Sequence, residues 1–145
     1  MIYLYLGQND LCLPATAASV QLGLLMSTSL PAYEDLARLP HFRFVEKEDE
    51  GVLCFMGEDR QGNKIYVTSV KGHPDLFIRG VGSLLSACQI PLQEVVVIPC
   101  IAENPQVSRL CRIITLLGLK ESATKLGSRV VRNRFSELAA THCTK

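Results

Sequence analysis

MIYLYLGQNDLCLPATAASVQLG, residues 1–23, changes its hydrophobic rhythm at Gly7. IYLYLG is β-branched and aromatic, which fits a strand; PATAASVQL, with Pro14 at a first helical position and Gly23 as a stop, fits a helix. That helix has almost no polar face, so it should be buried. A strand feeding a buried helix is the first unit of an α/β sheet, and the loop between them is where such sheets hold ligands. No positive region precedes the short apolar run, so the N-terminus reads as a first strand and not as a signal peptide.

The rest of the chain extends that unit. PAYEDLARL (31–39) reads as a short amphipathic helix closed by Pro40, and HFRFVEKEDE (41–50) as a strand fragment or loop. GVLCFMGEDRQGNKIYVTSV (51–70) is two alternating runs around EDRQGN, a β-hairpin whose Gly and Asn supply left-handed turn conformations. GHPDLFIRGVGSLLSACQI (72–90) predicts a core-facing helix with Asp75 as N-cap and with Gly80 and Gly82 permitting close packing. EVVVIPC (94–100) is the continuous apolar run of a central parallel strand covered on both faces. ENPQVSRLCRIITLLG (103–118) gives a helix capped by Asn104, with Pro105 in its first turn and Gly118 as its stop. A short strand near 119–125 and a helix over 128–141, packing Val131, Phe135 and Leu138, complete the chain.

This order implies a single α/β three-layer domain over residues 1–145. Its central sheet should be mostly parallel, built on the first, third and fourth strands, with the hairpin's first strand antiparallel and helices on both faces. At 48% hydrophobic and 20% charged residues the chain has enough apolar content for one core, and no apolar run reaches the ~20 residues of a membrane span. A soluble, cytoplasmic protein is expected. Residues 1–100 carry seven Lys/Arg against eleven Asp/Glu and residues 101–145 eight against three, so the two parts are about −4 and +5. The acidic run at 46–50 and Arg129, Arg132 and Arg134 read as solvated surfaces, and nucleic-acid binding has little support.

Ligands of open α/β sheets bind beyond the carboxyl ends of the parallel strands. Three segments meet that description: GQNDLCLP, KGHPD and CIAENP. They offer Asp10, Cys12 and Thr16; Lys71, His73 and Asp75; and Cys100, Glu103 and Asn104. Asp75 and Asn104 serve equally well as helix caps, and Asp10 as a turn residue. Cys12 or Cys100 with His73 would suit a small thiol-dependent transferase or hydrolase; both cysteines suit a buried structural role too. The six cysteines lack C-x-x-C spacing, so neither a zinc nor a disulfide framework is expected, and nothing in the loops demands a metal. No phosphate loop or G-x-G-x-x-G is present, and the residues name no cofactor.

MIYLYLG, then A-x-x-x-x-LGLL, then the acidic stretch running into GVLCFMGEDRQGNKIYV, resembles a family of spore-forming Firmicutes known as domain of unknown function 3189. The resemblance covers most of the chain and places Asn104 where the family has an asparagine. Members carry Gly-Gly followed by His-Ser-Ser in the first loop and a Gly-rich Ser-Arg segment after the fourth strand. This chain has QNDLCLPAT and PQVSRLCR there, keeping Ser108-Arg109. The first loop is therefore rewritten, for another ligand or for none. The resemblance implies a small-ligand-binding or protein-partner domain, in a homo- or heterodimer or beside a family paralogue, in a sporulation-associated setting.

Overall fold

The computed structural model describes residues 1–45, 50–102 and 105–140. Its elements are β1 (Ile2–Gln8), α1 (Cys12–Gln21), α2 (Tyr33–Ala37), β2 (Cys54–Glu58), β3 (Lys64–Val70), α3 (Pro74–Ala87), a 3-10 turn (Leu92–Glu94), β4 (Val95–Pro99), α4 (Pro105–Leu116) and α5 (Lys120–Ala140). The strands form one mixed sheet in the order β2-β3-β1-β4. β1 pairs in parallel with β3 and with β4, and β2 is antiparallel to β3. The α/β class and the division of strands into three parallel and one antiparallel thus follow the sequence pattern.

Alternation along β1 sorts the two faces of the sheet. Tyr5 lies in register with Val67 and Ile98 and joins them in the core cluster that α1 contributes to through Leu13, Ala17 and Ala18. α5 packs on α1 over this face, with Ala123, Val131, Phe135 and Leu138 all buried. Leu4 and Leu6 point the other way and are also buried, beneath α3, which a right-handed crossover from β3 to β4 carries to the opposite face. α1 is buried from Cys12 to Ser19, as its lack of a polar face requires, and Gly23 ends it in the left-handed region at φ 73°.

The hairpin turn is organised by Asp59. One carboxylate oxygen accepts the backbone N–H groups of Gln61 and Asn63, and the other accepts the side-chain amides of Asn63 and Gln21. Burial pushes the Asp59 carboxyl up, but these hydrogen bonds outweigh it and hold the group below its ordinary value. Gln21 in turn accepts the Tyr5 hydroxyl at 2.6 Å, which ties the turn to the centre of the sheet.

Five expectations are corrected. Residues 120–125 are helical: Ala123, Gly127, Val131, Phe135 and Leu138 continue one buried stripe, so α5 starts at Lys120. α1 starts at Cys12, two residues ahead of Pro14, because the first-turn N–H that Pro14 lacks would have had no helical partner. In α3 the N-cap is His73 and Pro74 takes the first helical position, leaving Asp75 one residue inside. α3 faces the core only in part: Pro74 is buried, Leu76 and Leu84 are exposed, and nothing comes within 4 Å of a Cβ built on Gly80 or Gly82. β4 lies at the sheet edge with Val95–Ile98 half-buried, not at its centre. A continuous apolar run fits an edge strand as well as a central one when nothing charged interrupts it.

Candidate functional site

The loop after β1 makes a tight return. Asn9 adopts φ 63° and donates its N–H to the Val70 carbonyl, which clamps the loop to the end of β3. Asp10 then forms a bridge with Phe44, and Leu11 N–H donates to the Arg43 carbonyl at 3.0 Å. The loop is consequently covered by segment 42–45, whose Phe42, Phe44 and Val45 are buried. The turn leaves no room at Gly7, where a built Cβ would stand 2.2 Å from the Asp10 carbonyl oxygen.

Asp10 is the polar centre of this junction. Its Oδ1 accepts Leu13 N–H at 3.1 Å and so caps α1 from one residue ahead of the N-cap position. The residue is 4% exposed, and burial pushes its carboxyl up to about 6, with backbone bonds from Leu13 and Cys12 pulling the other way. Cys100, at the end of β4, donates its N–H to the Leu6 carbonyl at 2.7 Å. Its thiol is pushed up to about 12, chiefly by burial and then by the charge of Asp10, while Arg134 acts in the opposite sense. Arg134, on α5, donates to the Ile101 carbonyl and to Glu137. Tyr5 lies in the same field: its hydroxyl is held well above the ordinary tyrosine range by burial first and by Cys100 next.

The structure therefore gathers Asp10, Cys12, Thr16 and Cys100 into the buried end of β1, α1 and β4, with the Thr16 hydroxyl donating to the Cys12 carbonyl at 2.7 Å. His73 and Asp75 stand exposed at the start of α3, and Lys71 is ion-paired with Glu50. Glu103 and Asn104 lie outside the described residues. Sequence reasoning read Arg134 as a solvated helix residue, whereas it is half-buried against the β4–α4 connection. It also passed over Thr68 and Ser69 at the end of β3, whose buried hydroxyls have no hydrogen-bond partner among the described residues. The signal was present in the hairpin run IYVTSV, where polar Thr and Ser replace the β-branched apolar residues that precede them.

Chemically, this cluster holds a proton better than it releases a nucleophile. Cys88 is exposed and Cys54 half-buried, while Cys12 and Cys100 are buried; the side chain of Cys111 and all of Cys143 lie outside the described residues. Of the four cysteines whose side chains are described, iodoacetamide at neutral pH is expected to alkylate Cys88 first and Cys54 next. Cys100 should react on the order of a thousandfold more slowly than an ordinary exposed thiol, from its loss of thiolate alone. Peptide mass spectrometry over a time course checks this order, and preferential labelling of Cys12 or Cys100 would restore a thiol nucleophile.

Among the described residues no group of three or more His, Cys, Asp or Glu is placed to hold a metal ion, and no helix is long and apolar enough to cross a membrane. A separate groove of about 560 Å³ opens between the connection at 24–31 and the α2 region, lined by Leu24, Met26, Leu30 and Leu39 with Asp35 and Arg38 at its polar side. No curated protein and no solved structure matches the chain. The strand, the first loop and the hairpin that fix this geometry lie within residues 2–142, which match the model of the family described as Protein of unknown function (DUF3189), and the chain belongs to that family.

Proposed function

We propose that this chain acts as a protein-partner domain. The observation that carries the reading is the outward apolar face of α4 and the turn after it. Leu110, Ile113, Leu116 and Leu117 recur at the spacing of a helix face, and the last two are 70% and 71% exposed. On α3, Leu76 and Leu84 are each 64% exposed. Single exposed leucines are ordinary, but helices that turn such a row outward mark interaction surfaces. The sealed first loop supports the same reading, since Asp10 is covered by Phe44 at the position where a small ligand of an α/β sheet would enter. The thiol-enzyme alternative draws no support from two buried cysteines and an exposed His73. The family resemblance supports a cytoplasmic setting in a spore-forming Firmicute, with a paralogue that keeps the polar first loop as the first partner to test.

A photo-crosslinking amino acid placed at Leu117 in the living cell tests this. A discrete cross-linked protein is expected from Leu117 and none from the exposed hairpin residue Arg60. Equal, diffuse products from both positions would overturn the partner reading.

A further inference from the structure

We infer that the groove between the 24–31 connection and the α2 region binds a free α-amino acid with a large apolar side chain. It shares no lining residue with the sealed loop after β1 or with the outward row on α4, so this inference and the partner reading can fail separately.

The walls of the groove are held by the fold. Leu24 and Leu25 donate their N–H groups to the Ser19 carbonyl at 2.9 and 3.3 Å, which pins the start of the connection to the last turn of α1. Pro31 is buried at the other end of the connection, and Leu36 anchors α2 with no exposed surface. Leu39 N–H donates to the Leu36 carbonyl at 3.1 Å, which fixes the far wall. Between these anchors Leu24, Met26 and Leu30 line the groove and stay exposed. A volume of about 560 Å³ lies in the range of small-molecule sites, whose usual make-up is an apolar floor with a few polar groups at one side.

Asp35 and Arg38 select the ligand. They are the charged residues that line the groove, and they stand three positions apart on one helical turn, a spacing at which opposite charges usually meet. Here they do not pair. One Asp35 oxygen accepts the Ala32 N–H at 3.2 Å; the other oxygen and the Arg38 guanidinium have no hydrogen-bond or ion-pair partner among the described residues. An anionic ligand would be repelled by Asp35 and a cationic one by Arg38, whereas a ligand that carries both charges satisfies each. Side chains at this spacing leave the helix about 5–6 Å apart. The ammonium and carboxylate of an α-amino acid share one carbon and fit between them, the ammonium on the Asp35 carboxylate and the carboxylate on the guanidinium fork. Each residue inserted between the two charges adds roughly 3.3–3.6 Å, so a peptide overreaches the pair. The ligand's own side chain then lies on Leu24, Met26, Leu30 and Leu39.

Titration of the isotope-labelled full chain with L-leucine, followed by amide chemical shifts, tests this. Saturable shifts centred on Met26, Leu30 and Arg38 are expected, with a dissociation constant on the order of a millimolar for a ligand of this size. Glycine, 3-methylbutylamine, 4-methylpentanoate and leucyl-leucine each lack one feature: the apolar side chain, the carboxylate, the ammonium, or the closeness of the two charges. Each should bind about tenfold more weakly or worse. Arg38→Gln, at an exposed site, and Asp35→Asn, which keeps an oxygen for the Ala32 N–H, should each weaken leucine binding by about tenfold. Should a variant fail to fold, the four analogues on the wild type decide. The inference is overturned by shifts that do not saturate, by shifts centred elsewhere, or by leucine binding no tighter than any of the four analogues. A Leu117 cross-link that persists beside a failed titration would leave the partner reading standing.

Discussion

Gly7→Ala is expected to lower the unfolding free energy by about 3 kcal/mol or more, the upper end of what overpacking costs, and to shift the urea midpoint accordingly. The cause is local and steric. A Cβ at this position would lie 2.2 Å from the Asp10 carbonyl oxygen, with Pro14 Cγ and Cδ at 3.0 and 3.2 Å behind it. A flexible side chain could swing aside, but a backbone carbonyl held between a strand and a helix cannot. To admit the methyl, the 8–11 loop must lift, which strains the Asp10–Phe44 bridge and the Leu11–Arg43 hydrogen bond together. Native-state hydrogen exchange should therefore show faster exchange at Leu11 and at neighbouring loop amides before it rises in the central strands. A variant with an unchanged midpoint would mean that the loop is looser than its hydrogen bonds describe.

The same junction shows how far the sequence could be read. β1, α1 and the hairpin were legible because each is defined by local rhythm and punctuation: Gly7, Gly23, and the turn from Asp59 to Asn63. The parallel sense of β1, β3 and β4 was legible because connections that carry a helix between strands return them in the same direction. What local pattern could not supply was neighbourhood. VVVI has one hydropathy profile whether strands flank it on both sides or on one, so the edge position of β4 was invisible. KESATKL carries too few apolar residues to announce a helix alone, and becomes one because Ala123 extends the stripe that α5 buries against α1. At the site, topology named Asp10 and Cys100 correctly as residues at adjoining strand ends, but the cover over them is set by Phe44, more than thirty positions away in sequence. Arg134 was missed for a related reason: one residue of a charged helix face turns inward only because the β4–α4 connection presents a carbonyl to it.

Asp10→Asn is expected to stabilise the protein by about 2–3 kcal/mol at pH 7.5 and to remove a pH dependence that the wild type shows. The folded state raises the Asp10 carboxyl from 3.8 to about 6, chiefly because burial disfavours its charge. Between those values the folded chain binds a proton that the unfolded chain does not. Its stability is fully present below about pH 4 and is lost as the pH rises through about 6, the opposite of a salt-bridged aspartate. Asparagine keeps the oxygen that accepts Leu13 N–H and leaves no charge to desolvate, so the cap on α1 survives. Urea titrations at pH 4.5 and 7.5 should show the wild type losing stability over this interval relative to the variant; parallel curves would place the carboxyl near its ordinary value. On that outcome the chain would retain a charge where a neutral isostere is more stable, and residues kept at such a cost are characteristic of functional positions. Repeating the Leu117 cross-link in the Asp10→Asn background separates the two explanations. Loss of the cross-link from a better-folded protein would couple the buried carboxylate to partner binding, and an undiminished cross-link would assign its charge no part in that contact.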